Sequence, residues 1–271
     1  MSNTHAAALP LAPRSIKTVN WIGLYTLIKK EVGRFLNVYT QTIIAPVVTT
    51  LLYYTIFALA FGGITKHIGD VPLLAFLAPG LIMMTMAQNA FANTSSSIVI
   101  AKVQGNIVDI LLPPLSALEI YVGYVTGSII RGMSLGLVTA LVVAIFAPMS
   151  VMSLGTILLF GFLGCMMLGS LGLAAGIWSD KFDHIAAVTN FIVMPLTFLS
   201  GTFYSMDTLP EGWQAVAHFN PFFYMIDGFR SGFIGHADGH LAIGVLVLVG
   251  VNIALAGLTL WMLRTGYKIK S

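Results

Sequence analysis

The 271-residue sequence contains 13 Lys and Arg and 10 Asp and Glu, so only 8% of its residues are charged, whereas 57% are hydrophobic. Soluble domains carry about 25% charged residues, which keep their surfaces in water, so this composition excludes a soluble enzyme and a disordered chain. The single cysteine, Cys165, excludes an intrachain disulfide, and a net charge of +3 gives no indication of nucleic-acid binding. The composition predicts an all-α integral membrane protein.

Six apolar segments, five of them without a charged residue, are the candidate membrane spans, because about 20 apolar residues cross a bilayer as a helix. We predict transmembrane helices over residues 38–61, 72–95, 120–146, 153–177, 184–205 and 241–263. The end of the third span and the whole of the fourth lie in one long uncharged run between Arg131 and Asp180. We divide this run at Pro148, because a proline among small and polar residues indicates a turn.

The positive charges predict the orientation of the spans. With six spans, ten cationic residues would lie on one side of the membrane: Arg14, Lys17, Lys29, Lys30, Arg34, Lys102, Lys181, Arg264, Lys268 and Lys270. Lys66 and Arg230 would lie on the other side. Because Lys and Arg favour cytoplasmic connections, both termini are predicted to be cytoplasmic. Arg131 would lie within span three, either in a functional role or with its guanidinium reaching towards the lipid headgroups.

The segment before the first span has two parts. We predict that residues 1–14 are a disordered cytoplasmic lead. We predict that residues 15–36 form an amphipathic helix in the cytoplasmic membrane interface. The predicted apolar face contains Trp21, Leu24, Tyr25, Ile28, Val32 and Phe35. Lys30 and Arg34 would lie opposite this face, with Lys29 and Glu31 near its edges. Residues 37–271 would form one transmembrane domain.

The connection between spans two and three, residues 102–119, mixes polar and apolar residues. Four apolar residues would cover one side of a short helix that Pro113 and Pro114 end: Ile107, Ile110, Leu111 and Leu115. An exposed apolar strip in the cytoplasm indicates a docking surface for a protein partner. The alternative is a helix that only rests on lipid headgroups.

The predicted external segment, residues 206–235, is rich in aromatic residues. It contains Trp213, Phe219, Phe222, Phe223, Tyr224, Phe229 and Phe233. We predict short broken helices between spans five and six that re-enter the outer leaflet, which is tolerated where they pack against protein. Their function would be an outer gate, and the alternative is an aromatic belt at the membrane interface.

Several local motifs do not predict chemistry in this chain. Residues 132–136 match the G-x-S-x-G pattern of a nucleophile, but they lie inside a predicted membrane helix, where small residues favour close packing. His236 and His240 have the spacing of helical metal ligands, but Gly239 weakens a helix there. We therefore predict no catalytic and no metal-binding residues. The sequence has no Gly-Lys dipeptide and hence no P-loop, so any ATP would be hydrolysed by another chain.

The predicted spans contain glycine pairs at helical spacing and isolated polar residues. The glycine pairs are Gly123/Gly127, Gly132/Gly136 and Gly172/Gly176. They predict close helix contacts, within a bundle or across a dimer. The polar residues include Gln41, Thr49, Tyr53, Gln88, Asn89 and Asn252. They would line a path or form hydrogen bonds between helices.

Four segments resemble motifs of the ABC-2 type transport permeases. Residues 76–84, which begin Phe-Leu-Ala-Pro-Gly-Leu, resemble F-x-x-P-G-L, and residues 105–116 resemble G-x-[IL]-[ED]-x-L-[LK]-x-x-P. Residues 199–210 resemble S-G-x-F-[YF]-x-x-x-x-L-P, and residues 220–230 resemble N-P-x-x-Y followed by Arg. The resemblance extends from about residue 15 to the C-terminus. It is closest to the bacterial inner-membrane branch related to drug, nodulation-factor and polysaccharide exporters.

The resemblance implies a transmembrane permease subunit of an ATP-driven exporter in the bacterial inner membrane. Two permeases, as a homodimer surrounded by membrane lipid, would assemble with two copies of a separate ABC ATP-binding subunit. That partner would bind ATP and Mg, and this chain would bind no cofactor. The dimer would form a path for a hydrophobic or amphiphilic substrate. The alternatives are an ion-coupled carrier or channel, for which the spans contain few acids, and an intramembrane enzyme that uses Ser134 or the two histidines.

The resemblance also implies three groups of site residues. The ATPase-coupling loop would contain Gln104, Gly105, Asn106, Ile107, Asp109 and Ile110, with the two isoleucines as its apolar contacts. The interface helix would act through Lys29, Lys30, Glu31 and Arg34. The external gate would contain Phe203, Tyr204, Pro221, Tyr224 and Arg230.

Overall fold

The computed structural model describes residues 19–61, 67–68, 71–147, 149–206 and 209–269, so the predicted lead 1–14 lies outside the described residues. The helices are α1 (Trp21–Leu36), α2 (Ala45–Phe61), α3 (Leu73–Val103), α4 (Val108–Leu111), α5 (Ala117–Val143), α6 (Leu154–Trp178), α7 (Phe182–Val188), α8 (Met194–Phe198), α9 (Glu211–His218), α10 (Pro221–Ile234) and α11 (Leu241–Thr265). Two short strands, β1 (His67–Ile68) and β2 (Val71–Pro72), pair antiparallel, with Ile68 opposite Val71.

Five helices within the described ranges are long and apolar enough to cross a membrane. They are the segment Thr40–Ala60, which includes most of α2, and the helices α3, α5, α6 and α11. Their bounds agree with those of five of the six predicted spans to within a few residues at most ends. The exception is α3, which continues past residue 95 to Val103. Its last turns contain buried residues such as Ile98 and Val99, so tertiary packing extends this helix beyond the predicted end.

The predicted span 184–205 is shorter and bent. It consists of α7, the π-helical turn Thr189–Val193 and α8, and it ends at Phe198. A second π-helical turn, Thr40–Ile44, precedes α2, and each of the two turns is followed within two residues by a proline, Pro46 or Pro195. Proline lacks an N–H and its ring collides with the carbonyl four residues earlier, which favours a wider turn at that point. That α7 and α8 cross the membrane stays a prediction.

Glycines let α3, α5 and α6 pack closely at the centre of the bundle. A Cβ on Gly172 of α6 would collide with the backbone carbonyl of Phe91 in α3, and one on Gly176 would lie 3.1 Å from the carbonyl oxygen of Ser95. A Cβ on Gly132 of α5 would lie 2.5 Å from Sγ of Cys165 in α6. These glycines therefore serve contacts within one chain, which decides between the bundle and the dimer for these positions.

Lysine side chains join the C-terminal ends of α3, α6 and α11. Nζ of Lys102 donates to the carbonyl oxygens of Ile177, at 2.8 Å, and Ser179, at 2.7 Å, which the end of α6 leaves unpaired. Nζ of Lys268 lies 3.1 Å from Oδ2 of Asp180, and this hydrogen bond lowers the pKa of that exposed carboxyl group. The three helices thus end on the same side of the bundle. That this side is cytoplasmic stays a prediction.

At the opposite end, α10 is inserted among the membrane-spanning helices. It packs against α3, α6 and α11, and its residues 222–233 are buried. The backbone N–H groups of Met152 and Ser153, before α6, donate to the carbonyl oxygen of Gly232 at 3.0 and 2.9 Å. The broken helices of the predicted external segment are therefore held against protein. Their depth in the outer leaflet stays a prediction.

Candidate functional site

The predicted N-terminal amphipathic helix is present as α1, but its buried face differs from the predicted one. Trp21 and Tyr25, which were predicted on the apolar face, are 72% and 66% exposed. The buried residues are Leu24, Leu27, Glu31 and Phe35. The helix α1 is rotated about its own axis relative to the prediction, because it packs against α5 and its buried side faces protein.

Two glycines of α5 determine how α1 is turned. A Cβ on Gly123 would lie 2.5 Å from Cδ2 of Leu27, and one on Gly127 would lie 2.7 Å from Cβ of Glu31. Only glycine leaves room for these side chains at such close approach. The pair Gly123/Gly127 therefore forms the surface of α5 against which α1 packs.

The carboxylate of Glu119 joins the N-terminus of α1 to the N-terminus of α5 through hydrogen bonds. Glu119 Oε1 accepts from the backbone N–H of Asn20 at 2.5 Å, and Oε2 accepts from the N–H of Ser116 at 2.6 Å. Ser116 and Glu119 form a capping box at the start of α5. Nδ2 of Asn20 also donates to the carbonyl oxygen of Pro114 at 3.3 Å. The helix α1 and the end of the coupling loop are thus one connected unit.

Glu31 and Arg34 point into the bundle, which corrects their predicted positions at the edge and on the polar face of α1. Glu31 has 0% exposure, and its Oε1 accepts from the hydroxyl of Ser97 in α3 at 2.7 Å. Its Oε2 lies 3.3 Å from Nη2 of Arg34. The two side chains differ from the prediction because Glu31 packs directly against Gly127 of α5, which turns this polar side of α1 inward. Lys29 and Lys30 are exposed, as predicted.

Arg34 and Arg131 meet on either side of Asn93. Nη2 of Arg34 donates to the carbonyl oxygen of Asn93 at 2.6 Å and to its Oδ1 at 3.0 Å. Nη2 of Arg131 donates to Oδ1 of Asn89 at 2.8 Å, and its Nη1 lies 3.5 Å from Oδ1 of Asn93. Arg131 is only 8% exposed, so its guanidinium lies among polar side chains of the bundle.

We name this group the buried polar cluster. Its members are Glu31, Arg34, Asn89, Asn93, Ser96, Ser97 and Arg131, which come from α1, α3 and α5. Asn93, Ser96 and Ser97 were not predicted as site residues. The sequence signal for them is the run of five polar residues, 93–97, inside an otherwise apolar helix. A polar run within a membrane helix indicates polar partners on neighbouring helices.

The predicted coupling loop presents its polar residues outward, as expected. Gln104, Gly105, Asn106 and Asp109 are exposed, and Gly105 has a φ of +74° at the turn that follows α3. Their role in ATPase coupling stays a prediction.

The apolar side of the coupling loop differs from the prediction. Ile110 is 5% exposed and belongs to the same buried core as Leu27 of α1, and Ile107 packs beside that core. The exposed apolar residues are Val108, Leu111 and Leu112, at 50, 40 and 75% exposure. The helix α4 has a single turn, and it buries one side against its own chain, so only the other side remains free for a partner.

Arg230, predicted at the external gate, lies in the interior of the protein, and a gating role for it stays a prediction. It is 2% exposed, its Nη2 donates to the carbonyl oxygen of Gly201 at 2.5 Å, and its guanidinium lies 3.7 Å from the ring centroid of Phe76. A Cβ on Gly80 would lie 2.9 Å from the carbonyl oxygen of Thr202. Three separate motif segments therefore meet here, and the arginine holds them together through a hydrogen bond and a cation–π contact.

The other predicted gate residues are divided between the interior and the edge. Tyr224 is 8% exposed, with its ring 5.1 Å from that of Phe223. Tyr204 and Pro221 are half-buried. Phe203 is also half-buried, and its ring stacks between those of Phe57, at 5.1 Å, and Phe198, at 5.5 Å. Phe203 thus joins α2 to α8, and a gating role for these residues stays a prediction.

A groove of about 340 Å³ between α2, α3 and α8 collects polar residues of the first two spans. Its walls include Gln41, Thr49, Tyr53, Gln88 and Asn89. Asn89 also belongs to the buried polar cluster. The groove therefore adjoins the buried polar cluster at Asn89. Asn252, in contrast, bonds between helices, with Nδ2 donating to the carbonyl oxygen of Leu163 at 3.1 Å.

The G-x-S-x-G match is a packing site, because its glycines contact neighbouring helices. Gly132 faces Cys165, and Gly136 faces the side chain of Met86. We therefore expect Ser134→Ala to change the free energy of unfolding by no more than about 0.5 kcal/mol and to leave transport intact. Labelling of Ser134 by a serine-directed probe, with loss of activity in the alanine variant, would instead support the intramembrane enzyme.

A comparison with protein families decides the class of this bundle. Residues 23–234 match the model of the family described as ABC-2 type transporter. The chain belongs to the ABC-2 type transporter family. The matched region begins inside α1 and includes the coupling loop, Arg131 and the contacts of Arg230, so the resemblance of the sequence motifs is confirmed.

Individual relatives agree with the family match. The chain is 39% identical over 233 residues to "Inner membrane transport permease YadH" of Escherichia coli (strain K12), covering 84% of this chain and 90% of that protein. It is 24% identical over 238 residues to "Nodulation protein J" of Rhizobium leguminosarum bv. viciae, covering 85% and 89%. A third relative, "Nodulation protein J" of Sinorhizobium fredii, is 22% identical over 257 residues. This ABC-2 permease is thus a membrane transport protein.

Proposed function

We propose that this ABC-2 permease is the transmembrane subunit of an ATP-driven exporter in the bacterial inner membrane. Two copies would assemble with two separate ABC ATP-binding subunits, which would bind ATP and Mg. The family and the relative called an inner membrane transport permease support this assignment. The structural observation that carries it is the connected unit of α1 and the coupling loop, which ends in exposed polar and apolar residues at the predicted cytoplasmic end.

The connected unit would transmit the movement of the ATPase to the membrane helices. Asp109 and Leu112 are exposed and would contact the ATPase, while Asn20 and Glu119 tie the same unit to α5. Glu31 then joins α1 to α3 through Ser97. A displacement of the loop would therefore move α1, α3 and α5 together, because hydrogen bonds and close packing join them.

The substrate path would use the polar groove between α2, α3 and α8. Its polar walls and the apolar surfaces beside them suit an amphiphilic substrate. α2 exposes Val48, Leu52, Ile56 and Leu59 away from its own chain. A second permease copy at this surface would close the groove, and lipid would cover the remaining apolar surface. In this arrangement α7 and α8 would form the fifth of the six spans in chain order.

We expect Asp109→Arg, and deletion of residues 104–110, to abolish ATP-dependent export and to weaken co-purification with the ATPase at least tenfold. Asp109→Arg replaces an anion by a cation on the surface that would contact the ATPase. Like charges or unpaired charges at an interface cost several kcal/mol. The measurement is export in vesicles reconstituted with both subunits. Glu211→Arg is the matched control, because it makes the same change at an exposed position at the opposite end of the bundle.

Two outcomes would contradict the proposal in different ways. Full export by Asp109→Arg and by the deletion variant would remove the coupling assignment. Transport by vesicles that contain the permease without any ATPase would instead support the ion-coupled carrier or channel. ATPase binding that persists while transport is lost would place the defect after docking, within the membrane path.

A further inference from the structure

The buried polar cluster contains more positive than negative charge. Arg34 and Arg131 both lie in it, and Glu31 is the carboxylate that the described part of the chain provides there, paired with Arg34. Arg131 has hydrogen bonds only to the amide oxygens of Asn89 and Asn93 among the described residues. A guanidinium buried next to a second one is unfavourable unless an anion compensates it.

Several N–H donors in the cluster have no acceptor among the residues that the structure describes. They are Nε of Arg131, Nε of Arg34 and Nδ2 of Asn93, each buried. Arg131 as a whole is 8% exposed, so bulk water does not solvate it. Buried donors without acceptors are rare in folded proteins and indicate a missing ligand, ion or water. Because several of these donors belong to cations, the fitting ligand is an anion.

A cavity of about 300 Å³ adjoins the cluster between α3 and the bent segment of α7 and α8. Its polar wall includes Asn89 and Ser96, the side chains to which Arg131 and Arg34 donate. Its other wall is mostly apolar, with Ile185, Val193 and Met194 beside Thr189. Arg34 keeps 27% exposure of its side chain, so the cluster is reachable from outside the bundle. A cavity with one polar and one apolar wall fits an amphiphile.

We propose that Arg131 and Arg34, with Asn89 and Ser96, bind the anionic headgroup of an amphiphile whose apolar part lies along α7 and α8. The headgroup carries a phosphate or a carboxylate, because both accept the paired N–H groups of a guanidinium. The site lies in the half of the bundle that contains α1. The proposal relies on the proposed function only for the conclusion that this half adjoins the cytoplasmic leaflet.

Binding of short-chain lipids to the purified full-length permease tests the site. The probes are dihexanoyl phosphatidic acid, dihexanoyl phosphatidylcholine and inorganic phosphate, titrated in a neutral detergent and followed by thermal stabilisation. We expect wild type to bind the phosphatidic acid at least tenfold more tightly than the phosphatidylcholine, and Arg131→Gln to lose this preference. Arg264→Gln, at an exposed arginine near the end of α11, is the control and keeps the preference.

The three probes distinguish the sources of the anion. Tight binding of the lipid with weak binding of inorganic phosphate supports an amphiphile, whereas equal binding of both overturns the role of the apolar wall. Should Arg131→Gln fail to fold, wild type still decides, because no preference for the anionic lipid overturns the site. The assay contains no ATPase, so loss of ATP-dependent export with intact lipid binding would count only against the proposed function.

Discussion

Arg230→Ala is expected to lower the free energy of unfolding by about 3–5 kcal/mol, the largest effect that a single side chain predicts here. The substitution leaves the carbonyl oxygen of Gly201 without its donor and removes the cation above the Phe76 ring. It also leaves a cavity, because the whole side chain is buried. The measurement is unfolding of the purified permease by a titration with dodecyl sulfate.

Two further variants are the controls for Arg230→Ala. Arg230→Lys keeps the charge but replaces the planar guanidinium, so it should recover only part of the stability. Arg264→Ala removes an exposed arginine and should change the unfolding free energy by no more than about 0.5 kcal/mol. A stable Arg230→Ala variant that fails to transport would contradict the structural role and support the gating role predicted from the sequence.

Gly172→Ala is expected to destabilise the bundle by about 2–3 kcal/mol through a single added methyl group. That methyl group would collide with the backbone of Phe91 and the hydroxyl of Thr94 on α3. Backbone atoms do not move aside as a flexible side chain does, so α3 and α6 have to separate. The same dodecyl sulfate titration measures the loss.

Gly257→Ala is the matched control for Gly172→Ala. It makes the same change in α11, where none of the described residues outside that helix turn lies within 4 Å of the added Cβ. Alanine favours a helix over glycine by about 1 kcal/mol, so this variant should be as stable as wild type or slightly more stable. Equal effects of the two substitutions would show that the glycines act through helix propensity and not through packing between α3 and α6.

Much of the secondary structure could be predicted from hydropathy, because a membrane span depends on the local transfer of side chains into lipid. The spans of α5, α6 and α11 agree with the predicted ranges within a few residues. The end of α3 and the bend in residues 182–198 could not be predicted in this way. The first depends on packing against α6, and the second on a proline whose effect on the helix depends on its surroundings.

The site was less predictable than the fold. Exposure of Gln104, Asn106 and Asp109 followed from the polarity of the loop, but burial of Ile110 depended on contacts with a distant part of the chain. Arg230 was assigned to the gate because its motif lies in the external segment. Its interior position depends on the meeting of three segments that are far apart in sequence.

The low charge of the sequence by itself determined that this is a helical membrane protein and where most of its spans lie, and the absence of a Gly-Lys dipeptide excluded a P-loop. Only the tertiary structure decided which way the charged side chains of α1 and α5 point. Glu31 and Arg131 find their partners on α3, through contacts between residues separated by 66 and by 42 positions in the chain. Hydropathy describes each residue against lipid or water, whereas the burial of a charge depends on the glycines that make room for it and the polar groups that neighbouring helices bring to it.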